Sequence, residues 1–167
     1  MDMRGPDRLN LNPRYFPNCI YPPYTNELHS SLADCTLPDV ARSVHDLIRS
    51  VDPERMMKTT EWIAAQPDKS DIRVGFIFGR GSFTVNQWSK MDMYKGNHFE
   101  VTKNGNPVLP SLVSPPFTDV SRVDGLAMLL ATDERAVGQP SIDVNLSVIQ
   151  PLWDILDADD EFRKYYS

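Results

Sequence analysis

Asn86 and Trp88 stand two positions apart in the segment 83–88 (FTVNQW), and a strand there turns both side chains to one face. An amide so placed can donate to a carbonyl or an oxyanion, and an indole beside it can line a pocket. The plainer readings are a core tryptophan and an asparagine that faces solvent or bonds a turn. Further on, Tyr94 and His98 can supply a general acid and base, or His98 can be a loop histidine with no task. His29 and His45 read as boundary residues, the latter at the edge of an apolar helix face. Cys19 and Cys35 match no zinc spacing and read as two reduced thiols. The acidic residues Asp154, Asp157, Asp159, Asp160 and Glu161 lack the alternation and glycine of a calcium loop, so a solvated helix end is the reading and no metal is implied. Gly79-Arg80-Gly81-Ser82 lacks the spacing and the Lys-Ser/Thr ending of a phosphate loop and suits a tight turn. Met56, Met57, Met91, Met93 and Met128 are core fillers or lining for a bulky apolar ligand.

The elements that position these residues follow from periodicity. Five prolines in the first 26 residues rule out a continuing helix or a central strand and predict an extended, turning segment. Thr36 caps a helix with Pro38 in its first turn, and Leu37, Val40, Val44, Leu47, Ile48 and Val51 predict one buried face. A second helix starts at Asp52-Pro53 and ends before Pro67. Residues 73–78 (RVGFIF) and 83–88 read as two strands joined by the glycine turn. Residues 95–119, rich in Gly and Pro, form a long connection, and long ordered connections tend to be functional. Residues 125–131 (GLAMLLA) form a short apolar run, and 142–148 (IDVNLSV) alternate as a half-buried strand. The Asn145-Leu146-Ser147 sequon inside it carries little weight. A last helix covers 149–159, with Ser147 and Gln150 spaced as a capping box. The fold class is α+β in a single domain over 1–167, with a mixed or antiparallel sheet packed by helices.

Length and charge set further bounds. The 167 residues suffice for one domain, and 41% hydrophobic against 24% charged residues is a globular composition. Seventeen basic against 23 acidic residues leave a net charge of −6, which repels nucleic acid and anionic membranes. No apolar run has the length of a membrane span and no secretory signal is visible, so the expected location is the cytoplasm.

Several short signals then fall in a recognisable order: Asp2-Met3-Arg4 with Arg8, Tyr15-Phe16-Pro17-Asn18, Asn86-Gln87-Trp88, Lys90-Met91-Asp92-Met93-Tyr94, Val123-Asp124-Gly125-Leu126, and a closing Asp160-Glu161-Phe162. Together they resemble the C-terminal half of BAHD-type acyltransferases, especially the fungal branch that includes trichothecene acetyltransferases. The resemblance implies a chloramphenicol-acetyltransferase-like half domain, in which Asn86 and Trp88 line the reaction channel. It also marks departures. The family's catalytic His-x-x-x-Asp is absent, since Ala33, Arg49 and Thr102 follow the three histidines at that spacing. The family's Asp-Phe-Gly-Trp-Gly falls on Asn97-His98-Phe99-Glu100, so Arg4 or Arg8 has lost the aspartate that usually pairs with it.

Three functions remain open. The favoured one is a cofactor-independent cyclase or isomerase of fungal secondary metabolism. It would act on an apolar polyketide or terpenoid, using a shaped cavity and a few donors to polarise a carbonyl. Asn86, Tyr94 and His98 are then the catalytic candidates, and Phe78, Arg80 and Trp88 the substrate-binding ones. The second is an acyl-CoA-dependent acyltransferase subunit paired with a separate N-terminal half, and the third a binding protein without turnover. A homodimer or heterodimer would cover the surface that the missing half covers in the family.

Overall fold

The computed structural model describes residues 1–16, 19–73, 75, 77, 79, 81–95, 97, 99, 103–106, 108–116, 118–119, 122–139 and 141–165. Two compact units make up the chain, Met1–Phe76 and Ile77–Ser167.

In the first unit the proline-rich start is extended. Asp2 bridges Ile20 in antiparallel fashion, with Met3 N–H donating to Cys19 O at 2.9 Å and Tyr21 N–H to Met1 O at 2.8 Å. Three helices follow: α1 (His29–Asp34), α2 (Leu37–Arg49) and α3 (Pro53–Ala65). The caps predicted for α2 and α3 are present. The Asp39 carboxylate accepts from the N–H and the hydroxyl of Thr36, and Asp52 accepts from Arg55 N–H at 2.7 Å. The bonds to Thr36 hold the Asp39 carboxyl below the usual carboxylate range. Cys19, Val51 and Met56 form the small buried core.

The predicted burial of the α2 apolar face is not what the structure shows. Val51, just past the helix, is buried, but α2 itself carries no buried residue, and Leu37 is 81% exposed. α1, which has no apolar periodicity to announce it, starts at the histidine read as a boundary residue.

The second unit is built on a three-stranded mixed sheet in the order β1 (Thr84–Gln87), β2 (Leu126–Ala131), β3 (Ile142–Ser147). β1 runs parallel to β2, with Asn86 beside Met128, and β3 runs antiparallel to it, with Leu129 beside Val144. The central strand is covered on both faces, so Ala127, Met128 and Leu130 are all buried. That explains why this segment is continuously apolar, whereas β3, expected to be half-buried in alternation, is exposed at Ile142, Asp143 and Val144 in a row and half-buried only at its end. Helix α4 (Glu134–Val137) lies in the β2–β3 connection and ends at Gly138 in the left-handed region. Helix α5 (Gln150–Asp157) follows β3, and Trp153 meets Phe162 edge to face, with centroids 6.1 Å apart.

Gly125 joins all three strands. Its N–H donates to Ser147 O at 2.8 Å, its carbonyl accepts from Thr84 N–H at 2.7 Å, and its φ is +81°. A Cβ on it would lie 2.0 Å from Ser82 O, so only glycine fits.

Two expectations change here. Arg73, Gly75 and Ile77 belong to no strand, while Val74, Phe76 and Phe78 lie outside the described residues. The capping box at Ser147 and Gln150 is absent as well. Ser147 closes β3, the cap position is Ile149, and its N–H is held by Asp124 Oδ1 at 3.0 Å. A side chain 25 residues back in the sequence thus holds the backbone at the start of α5, by a bond different from the one the local pattern predicts. The class is α+β with a small mixed sheet, as expected. Among the described residues no helix is long and apolar enough to cross a membrane.

Candidate functional site

Asn86 lies in β1 and Trp88 one residue past its end, and both are half-buried. Trp88 is anchored by its backbone, whose N–H donates to Leu129 O at 2.8 Å. The Asn86 amide makes no hydrogen bond among the described residues and stays available as a donor.

Tyr94 is buried, and its hydroxyl accepts the Val113 N–H at 3.1 Å. It therefore acts as a post that ties one end of the long connection to the other. His98, Arg80 and Phe78 lie outside the described residues.

That connection builds an open groove of about 620 Å³ lined by Met93, Asn97, Phe99, Leu109, Pro110, Ser111, Leu112, Val113 and Ser114. Its wall mixes apolar and polar surface in near-equal parts, with Asn97, Ser111 and Ser114 as the polar side chains. Besides the Tyr94 post, several bonds hold its shape. Asn97 Nδ2 donates to Asp92 O at 2.6 Å, Phe99 N–H to Val108 O at 3.0 Å, and Arg135 Nη2 to Pro110 O at 2.7 Å. Arg135 is itself fixed by Asp133, the cap of α4, through Nε and Nη2 at 2.7 Å each. Those bonds hold the Asp133 carboxyl below the usual carboxylate range and push the Arg135 guanidinium up. Lys95 pairs with Glu134, whose carboxylate raises the lysine further. Lys95 and Glu134 are solvent-exposed, so that pair contributes geometry more than stability, whereas the Asp133 side chain is largely covered.

The first unit has a second, more polar groove of about 450 Å³ near Tyr24, Glu27, Asp46 and Arg55. The arginines of the Asp2-Met3-Arg4 segment have local partners. Arg4 meets Asp2 at 2.8 Å, and Arg8 Nη1 donates to Val51 O at 3.0 Å. Both cysteines are free, Cys19 buried and Cys35 exposed. Among the described residues no three His, Cys, Asp or Glu side chains gather as a metal site.

The long connection was singled out in the sequence, but its lining residues were not. Phe99, Leu109, Leu112 and Val113 are apolar side chains inside a Gly- and Pro-rich loop, which is the signal that could have marked them. No protein-family model, curated protein or solved structure matches this chain.

Proposed function

We propose that this chain is a half domain of the chloramphenicol-acetyltransferase-like kind, working in the cytoplasm. In this reading it binds an apolar small molecule in the 93–114 groove and promotes its cyclisation or isomerisation without a cofactor. The groove carries the reading: Met93, Phe99, Leu109, Leu112 and Val113 give its wall apolar patches, its shape is held by the Tyr94–Val113 and Arg135–Pro110 bonds, and Ser111 and Ser114 offer hydroxyl donors for a substrate carbonyl. Asn86 is the further donor, on β1 and outside the groove lining.

The test is an NMR titration with naphthalene as the apolar probe. Saturable shifts of the Val113 and Ser114 amides, with the α2 amides unmoved, support the reading. Shifts on α2 alone, or none that saturate, overturn it.

A second reading, acyl transfer with a separately encoded half, draws support from the exposed apolar face of α2, with Leu37, Val44 and Ile48 uncovered. A saturable thermal shift with acetyl-coenzyme A would favour it, by linkage.

A further inference from the structure

We propose that β3 is the surface where two copies of this chain join, edge to edge and antiparallel, with Val144 on the two-fold axis. The inference takes up the self-association expected of a half domain but rests on the strand itself.

β3 lies at the edge of the sheet. Peptide groups alternate sides along a strand, and the Ser147 carbonyl is bonded to Gly125 on the β2 side. Asp143, Asn145 and Ser147 therefore point their peptide groups at β2, and Ile142, Val144 and Leu146 point theirs outward, where none is bonded to a described residue. This edge has no lysine, no proline and no bulge to blunt it, and β1, the opposite edge, is shorter. Its side chains are open too, with Val144 61% and Ile142 52% exposed.

The sequence then selects the partner and the register. Residues directly opposite in a sheet share a face, so a two-fold axis normal to the sheet must pass through a residue. Through Asp143, it sets two carboxylates against each other. Through Asn145, it carries the pairing past the strand end to Val148. Through Val144, Ile142 faces Leu146, Val144 faces its own copy, and Asp143 faces Asn145. The outward peptide groups of 142, 144 and 146 all become paired, and no like charges stand directly opposite each other. In a chain of net charge −6, that local match is what permits self-pairing. An edge alone buries little area compared with the roughly 1,200–2,000 Å² of a stable interface. The further apolar surface is in the same unit: Ile149, Leu152 and Ile155 form an exposed stripe that begins just past the end of β3.

The experiment is light scattering on the whole chain, with Val144→Lys and Val144→Glu variants alone and mixed. The expected result is a dimer for the unaltered chain, dimerisation weakened roughly tenfold or more in each variant, and recovery when the two are mixed, since 144 faces 144 across the axis. A monomeric unaltered chain, variants as dimeric as it, or a mixture that stays monomeric would overturn the proposal. Amide hydrogen exchange on the unaltered chain gives a reading that needs no variant: the Val144 and Leu146 amides should slow as concentration rises. If they exchange at one rate at all concentrations, the edge is not the joint. A strand donated by a different polypeptide would show the same protection only when that polypeptide is added, and would equally overturn self-pairing. The naphthalene titration is independent of these outcomes, so dimerisation and ligand binding can fail separately.

Discussion

Replacing Gly125 by alanine tests how the sheet of the second unit is closed. An L residue held at φ +81° is strained by about 1–2 kcal/mol. The added Cβ would stand 2.0 Å from Ser82 O, which is backbone and cannot swing aside. Moving the two segments apart weakens the bonds from Gly125 N–H to Ser147 O and from Thr84 N–H to Gly125 O, each contributing about 1 kcal/mol. The expected loss is about 3–4 kcal/mol, a large part of the about 5–15 kcal/mol typical of a domain. Gly138 provides an internal control, because its φ is +79° but nothing lies within 4 Å of its would-be Cβ. Gly138→Ala should therefore lose only the conformational part, about 1–2 kcal/mol. Urea unfolding followed by tryptophan fluorescence in a Trp62→Phe background, which leaves Trp88 and Trp153 of the second unit, measures both at equal denaturant slope. If Gly125→Ala is no less stable than Gly138→Ala, the close approach to Ser82 is not a constraint and this account of the strand junction is wrong.

Other consequences can be measured in the same way. Tyr94→Phe removes the acceptor for Val113 N–H and should cost about 1 kcal/mol of stability while weakening naphthalene binding at Val113; unchanged binding would show that the post does not shape the groove. Arg135→Gln should return the Asp133 carboxyl to the ordinary carboxylate range in a carbon-detected NMR titration and free the Pro110 carbonyl. Because the folded-state value of Asp133 is depressed, its contribution is present at neutral pH and is lost as pH falls through that lowered value, below the usual carboxylate range. Probe binding should weaken in the same acid window. Asp39→Ala should destabilise the start of α2 by about 1 kcal/mol, seen as lost helical circular dichroism on heating, whereas an unchanged signal would mean that Thr36 caps the helix unaided.

Local chemistry was the legible part of this sequence. Thr36 and Asp52 mark helix starts because a cap is settled within three residues, β3 is visible because its apolar residues alternate in sequence, and β1 because a glycine turn precedes a short β-prone run. What failed were statements about what lies across from an element. The stripe on α2 shows that one face is suited to burial, but not that anything in this chain buries it. The spacing of Ser147 and Gln150 predicts a local cap for α5, whereas the bond at its start comes from Asp124, distant in sequence and close only once β2 and β3 have paired. The same applies to the site. Asn86 and Trp88 are both half-buried because a spacing of two carries over from the strand to the residue just past it, whose N–H still bonds β2. The groove is assembled from loop segments brought together by Tyr94–Val113 and Arg135–Pro110, contacts that no periodicity encodes.

The mixed pairing of the sheet also sets an order of assembly. β2 and β3 close over residues 132–141, while the parallel β1–β2 pair must close over residues 88–125. The longer closure costs about 1 kcal/mol more in chain entropy, so the antiparallel hairpin is the natural nucleus and β1 the late arrival. Every residue that lines the groove lies in the loop closed by that last step. A molecule that occupies the groove therefore acts as a brake on the departure of β1: it slows unfolding and leaves the rate of hairpin formation unchanged.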